Sequence, residues 1–392
     1  MLLSVAKQSP ARASRIAASV LFFCAGLCFA SWASRIPQIK EKLQLNEAGL
    51  GGVLLSLPVG LMVSLPISGF LVARAGSRKI AIIAVCMYAA TLPLLGIVDA
   101  TWQLIAVLFV FGFGGNLLNI SMNTQGASVE DLYGRSIMAS FHGVWSLAGF
   151  TGAAIGTLMV KFSVAPFYHF CTITAIVALL ALFTYQYLLT KDINTGGDTP
   201  VFAKPDSRLL KLGLIAFCCM VCEGTMFDWS GVYFSKEVKV PDHLVTLGFV
   251  AFMTTMATGR FIGDWLSTKL GKKRMIKMSG LLIASGLMVA VILPYIVPAT
   301  IGFLIIGMGV SSVVPLVYST AAKSANVPSG VALAAVSTIG YLGFLFGPPI
   351  IGLIAQAFSL RWSFALIAML GLGTTLLAGF SAIETKKQDK TE

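Results

Sequence analysis

Residues 209–234 read LLKLGLIAFCCMVCEGTMFDWSGVYF. Apart from Lys211 near one end and a few hydroxyls, the strongly polar side chains in this run are Glu223 and Asp228. A run this long and apolar suits a helix crossing about 30 Å of hydrocarbon at about 1.5 Å per residue. A carboxylate at the centre of such a helix costs roughly 2.5–3.5 kcal/mol on insertion scales, so an intramembrane acid is a functional candidate by default.

Outward from this run, composition settles the class. Hydrophobic residues make up 57% of the chain and charged residues 11%, and the mean hydropathy is +0.86, which would leave a soluble protein short of polar surface. Comparable apolar runs recur at 15–34, 49–73, 80–98, 102–122, 136–160 and 167–189. A second set follows at 209–234, 244–263, 275–297, 299–322, 330–356 and 362–383. The expected fold is therefore an all-α membrane protein of twelve transmembrane helices. Lys7, Arg12 and Arg15 before the first run admit a signal peptide as the competing reading, but no clear cleavage site precedes Arg35 and eleven more runs follow.

With the N-terminus inside, about 21 of the 28 Lys and Arg residues fall on the cytoplasmic side and about 7 on the other. This bias predicts cytoplasmic N and C termini. It also assigns the net charge of +12 to anionic lipid head groups rather than to nucleic acid. The seven cysteines all fall in predicted spans, where an odd number argues against a disulfide framework. The cluster Cys218, Cys219 and Cys222 beside Glu223 could suit a soft metal, but no histidine cluster supports one, so these thiols are read as small packing residues and no metal or cofactor is expected.

The chain also repeats itself. Trp32-Ala33-Ser34 matches Trp229-Ser230-Gly231, Gly112 and Gly114 match Gly307 and Gly309, Gly76 falls opposite Gly271, and Gly156 opposite Gly352, all at an offset of about 195–197 residues. One offset near half the chain length gives two six-helix halves in parallel orientation, 1–190 and 209–392, joined by a Gly-, Thr-, Asp- and Pro-rich cytoplasmic linker over 191–208.

Two such halves with a longer central loop resemble the major facilitator superfamily over essentially the whole chain. The family signature Gly-x-Leu-x-Asp-Arg-x-Gly-Arg-Lys is similar to the segment from Gly69 through Leu71, Arg74, Gly76, Arg78 and Lys79, with Ala73 at the acid position. In the second copy Thr268 holds that position and Asp264 lies one turn earlier. The resemblance implies that Arg74, Arg78, Arg260 and Asp264 belong to an inner gate. The segments around Phe141 to Ser146, Glu223 to Trp229 and Gly340 to Pro349 are similar to a bacterial inner-membrane branch near the fucose and sugar permeases. The Gly-Pro antiporter signature of span five is absent.

The resemblance further implies that spans one, four, seven and ten line the central path. Asn116, Asn119 and Asn123 lie on one helical face, either lining a cavity or bonding a neighbouring helix. His142, Trp145 and Ser146 share a face of span five, with His142 about 9 Å from the inner end and suited to a proton relay. Trp32, Trp145, Trp229, Tyr318, Tyr341 and Phe344 offer aromatic surface for a substrate. Pro315, Pro348 and Pro349 are expected to bend spans ten and eleven.

Glu223 lies within roughly 3 Å of the middle of span seven, and Asp228 about 7.5 Å further out and about 140° around the helix. The expected roles are proton carrier or substrate ligand for Glu223, and an outer gate or a proton site for Asp228, paired with Arg35 or another outer-side group. Structural registry is the competing reading for both.

These readings converge on a monomeric secondary active transporter of the bacterial inner membrane that cycles by alternating access, with its site near mid-membrane between the halves. The expected partners are protons, lipid and a small-molecule substrate, and the expected reaction is proton-coupled symport of a small, sugar-like polar solute. Export of an amphipathic compound and a sensor without transport are the alternatives. Neither an ATP-binding loop nor a nucleophile and base at catalytic spacing is present in the sequence, so an enzyme is not expected.

Overall fold

A computed structural model describes residues 2–134, 137–192, 207–322 and 329–380. Helices dominate, and 12 of them are long and apolar enough to cross a membrane. Spans one to six are Ala11–Ala33, Glu47–Ala75, Ser77–Ile97, Thr101–Tyr133, Ser140–Lys161 and Pro166–Tyr187. Spans seven to twelve are Ser207–Val238, Asp242–Gly263, Lys272–Ile292, Ile296–Ala321, Ala332–Ala357 and Leu360–Gly379.

The chain divides into two compact units, Met1–Gly196 with Val240–Val250, and Gly197–Lys239 with Ala251–Glu392. In the first, the hydroxyl of Thr246 at the start of span eight meets that of Thr157 at 2.6 Å. Within this unit span one packs on span five, span two on span four, and span three on spans four and six. In the second, span seven packs on spans eleven and twelve, and span nine on spans ten and twelve. Most of the expected linker at 191–208 lies outside the described residues.

The repeat shows at the level of atoms. A Cβ at Gly112 would sit 2.0 Å from the carbonyl oxygen of Leu57, and one at Gly307 would sit 2.2 Å from that of Phe252. Spans four and ten thus cross spans two and eight backbone to backbone, through glycines that also correspond in sequence. Gly76 (φ 82°, ψ 147°) and Gly271 (φ 81°, ψ 145°) make the same turn before spans three and nine. A side chain there would be strained, because positive φ brings Cβ against the backbone.

Spans four and ten depart from the expected single runs. Span four continues beyond Met122 to Tyr133, where Gly134 ends it in a left-handed conformation (φ 61°). Span ten breaks at Ser311 and Ser312, and its second helix restarts at Val313. Pro315 sits in the first turn of that helix, where its missing N–H costs little. Span eleven, by contrast, stays helical through Pro348 and Pro349.

Candidate functional site

In the second unit, Glu223 on span seven and Arg260 on span eight form an ion pair, with Arg260 Nη2 donating to Glu223 Oε1 at 3.1 Å. Their side chains are 8% and 16% exposed. A buried pair satisfies two charges that would each be prohibitive alone, although ionic pairing by itself adds little stability. A glycine beside each partner lets a further span close in on the pair. Gly224, beside the acid, lets span eleven approach until a Cβ there would lie 2.9 Å from Phe344 Cδ1, and Gly259, beside the base, does the same against Ser311 of span ten at 2.3 Å from its Oγ.

The surroundings are aromatic and weakly polar. Tyr341 and Phe344 lie side by side with their rings tilted by 33° and their centroids 6.4 Å apart. Tyr318, Tyr341 and Cys219 all lie within range of the Glu223 charge. The Tyr318 hydroxyl is buried with no hydrogen-bond partner among the described residues, which normally marks a group awaiting a water or ligand. Spans seven, eight, ten and eleven therefore converge on one acid, one base and two phenols. Cys219 and Cys222 point their sulfurs at the carbonyl oxygens of Val310 and Ile367, at 3.9 and 3.7 Å.

Asp228 is half-buried, and it has neither a hydrogen bond nor an ion pair among the described residues. Its neighbour Trp229 is fully buried, and so is the repeat-related Trp32. Neither indole N–H has a partner among the described residues. The side chain of Asp264 lies outside the described residues.

The first unit holds Arg35 in a different way. This fully buried residue donates from Nε to His169 Nδ1 at 3.0 Å, from Nη2 to the Val164 carbonyl at 3.0 Å, and from Nη1 to Gln38. Burial pushes the guanidinium down to about 10, which still leaves it charged at neutral pH. His169 accepts through Nδ1, so its proton sits on Nε2, which has no partner among the described residues. Sequence reasoning missed His169, because a single histidine in an apolar run of span six carries no spacing signal.

Asn116 is buried and reaches Ser68 of span two at 3.4 Å, beside a Ser64–Ser68 hydroxyl pair at 2.8 Å. Asn123 donates to the Asn119 carbonyl at 2.8 Å, and both residues are partly exposed. The stripe therefore divides between helix contact at Asn116 and polar surface at the other two. His142 is exposed and edges onto Phe22, while Trp145 lies near Phe29 with ring centroids 6.2 Å apart.

Around the glycine-turn motif, Arg74 lies over the Phe70 ring at 5.9 Å, and Arg78 lies over the Tyr185 ring at 4.3 Å while donating to the Tyr185 carbonyl at 3.2 Å. With Ala73 at the acid position, a different acid serves this turn. Asp192 accepts from the Ser77 backbone N–H at 2.9 Å and from the Ser77 hydroxyl. Gln125 then ties Ser77 at 2.6 Å to the Leu189 carbonyl at 3.0 Å. An anion at a helix N-terminus meets unpaired N–H groups and the positive end of the dipole. Neither Asp192 nor Gln125 could be found from sequence, since their partners are 115 and 48 residues away.

The family model described as Major Facilitator Superfamily matches residues 18–339. The chain belongs to this superfamily. An uncharacterised MFS-type transporter of Yersinia pestis is 32% identical over 366 residues, covering 92% of this chain and 94% of that one. Membrane protein MosC of Rhizobium meliloti is 31% identical, covering 90% and 86%. Among solved superfamily structures, the nucleoside transporter NupG aligns with a TM-score of 0.73 at 13% identity over 93% of this chain and 98% of that one. A bacterial homologue of the lysosomal transporter Spinster aligns with a TM-score of 0.70 at 14% identity, covering 94% and 95%. At such identities the likeness concerns the superfamily fold alone.

Proposed function

We propose that this superfamily transporter carries out proton-coupled symport of a small polar solute across the bacterial cytoplasmic membrane, with both termini on the cytoplasmic side. The observation that carries the reading is the Glu223–Arg260 pair, buried in apolar spans. A carboxyl group in a low-dielectric setting favours its protonated form, a guanidinium beside it favours the ionised form, and moving the two apart switches between these states. Such a group takes up or releases a proton as its surroundings rearrange, which alternating access requires of a coupling residue. Tyr318, Tyr341 and Phe344 are the nearest ligand-binding surface. Asp228 is proposed as a second proton site or an outer gate, with Arg35, Arg74 and Arg78 as gate residues.

The test is flux in proteoliposomes carrying the purified chain. An inward proton gradient is expected to accumulate the solute, and Glu223→Gln to abolish gradient-driven accumulation while leaving solute exchange. Accumulation that survives in Glu223→Gln with unchanged dependence on the gradient defeats the assignment.

Export is the second reading. It is favoured by a 25% identical relative over 374 residues whose name is nitrite extrusion protein, from Bacillus subtilis. Reversing the imposed gradient in the same vesicles distinguishes the two directions.

A further inference from the structure

We propose that a fissure between spans eight, nine and ten binds one anionic glycerophospholipid, with an acyl chain in the fissure and the phosphate at the basic start of span nine. The inference is independent of which solute is carried and of how its movement is coupled.

The shape and lining of the fissure point to hydrocarbon. It measures about 350 Å³ and is lined chiefly by apolar side chains, among them Ile262, Leu266 and Leu270 on the helix of span eight, Met278 and Leu282 on span nine, and Met308 on span ten. Its floor is the break in span ten. There the Ser311 hydroxyl donates to the Met308 carbonyl at 2.7 Å and meets the Ser312 hydroxyl at 3.3 Å, so the floor makes no polar demand on an occupant. Ile262 and Met278 are 39% and 42% exposed, which leaves the fissure open along its side. Apolar walls of this kind favour an acyl chain over water.

The depth of the fissure suits one leaflet. Gly259 and Leu270 both line it, and they stand about 16 Å apart along one helix at about 1.5 Å per residue. The hydrocarbon core is about 30 Å thick. The fissure therefore runs from one face of the membrane to about its middle, which is the reach of a single lipid tail.

Charge supplies the complement at the membrane face. Span nine begins Lys272-Lys273-Arg274 and carries no acid in its first turn. Cations at the positive end of a helix dipole are unfavourable unless an anion attends them. The repeat-related span three begins Ser77-Arg78-Lys79, and there Asp192 provides the anion, accepting from the Ser77 backbone N–H at 2.9 Å. At span nine a phosphodiester would do the same work. It would arrive attached to the tail that the fissure fits, since Leu270 and Met275, on either side of the basic run, both line the fissure. Trp265 is 59% exposed, and Lys269 Nζ lies 4.1 Å from its ring centroid. An aromatic ring beside a lysine is the pairing expected at head-group level.

Native mass spectrometry of the full, delipidated chain in detergent tests this, with dioleoylphosphatidylglycerol titrated against dioleoylphosphatidylcholine. One phosphatidylglycerol is expected to be retained at about tenfold lower concentration than phosphatidylcholine, a preference within the reach of a few basic contacts. Lys273→Gln/Arg274→Gln should remove the preference while phosphatidylcholine retention stays as it was. Leu282→Trp and Leu266→Trp, which fill the fissure, should each lose the retained molecule. Ile301→Trp, at a 48% exposed position elsewhere on span ten, should keep it. A melting temperature equal to wild type in either filling variant separates loss of the site from loss of the fold. Equal retention of the two lipids by the wild type, or a preference that persists in Lys273→Gln/Arg274→Gln, overturns the inference. So does undiminished retention in both filling variants, which would make the bound molecules annular lipid only.

Discussion

Arg35 shows how one buried cation is held by geometry rather than by a counter-charge. Its three nitrogens point at three acceptors, His169, Gln38 and the Val164 carbonyl. A lysine offers a single ammonium and cannot reproduce that fork. Arg35→Lys is therefore expected to lower stability by about 1–3 kcal/mol, the cost of leaving buried polar groups unmade, read as a fall in melting temperature in detergent. His169→Ala should cost a similar amount, about 1–3 kcal/mol, because it strands the Nε donor, and a melting temperature equal to wild type would remove His169 from this account. The Glu223 centre behaves differently, because its partner carries a full charge. Glu223→Ala leaves Arg260 buried beside a neutral side chain, at about 3–5 kcal/mol by analogy with buried pairs elsewhere, and replacing both partners should cost clearly less than the sum of the single changes. A double-mutant cycle on melting temperature checks this. Glu223 was legible in the sequence, as an acid has few reasons to lie mid-span. Its partner was not, since Arg260 near the inner end of span eight reads equally well as part of the basic loop beyond it.

At the level of helices, glycine decides where spans cross. Gly112 and Gly307 stand at 2.0 and 2.2 Å from a facing backbone oxygen when given a Cβ, whereas Gly52 meets nothing within 4 Å. Alanine at either close position must push two helices apart, at about 1–3 kcal/mol for overpacking. Alanine at Gly52 is expected to be neutral or slightly stabilising, by up to about 1 kcal/mol, from helix propensity. Equal melting temperatures for the three variants would contradict this packing. The sequence repeat already paired Gly112 with Gly307, so their shared role was readable in outline. The Asp192–Ser77–Gln125 strap was not, because it joins the start of span three to span four and to the segment after span six across long sequence separations. The break in span ten at Ser311 and Ser312 could be anticipated from Pro315, while the unbroken helix through Pro348 and Pro349 could not. Neighbouring helices and local adjustment can absorb a missing N–H in a membrane span.

Across the molecule, duplication supplies the frame and departures from symmetry supply the chemistry. At the repeat offset Glu223 corresponds to Gly26, where a Cβ would lie 2.4 Å from the Trp145 carbonyl oxygen of span five. Span one is thus closed against its neighbour at the place where span seven carries its acid, so the ionic centre belongs to one half alone. The repeat also makes a claim about orientation. An even number of spans per half returns the chain to the same side, and the bias of about 21 basic residues to 7 makes that side cytoplasmic. The expectation is testable with single cysteines, introduced after replacing Cys86 and Cys171, the native cysteines that are not buried. Cysteine at Lys42, between spans one and two, or at Arg361, in the first turn of span twelve, should react with a membrane-impermeant maleimide in intact cells, while cysteine at Lys79 or Lys273, in the first turns of spans three and nine, should react only after the membrane is opened. Labelling in the opposite pattern would invert the topology and, with it, the direction of the proposed proton-coupled transport.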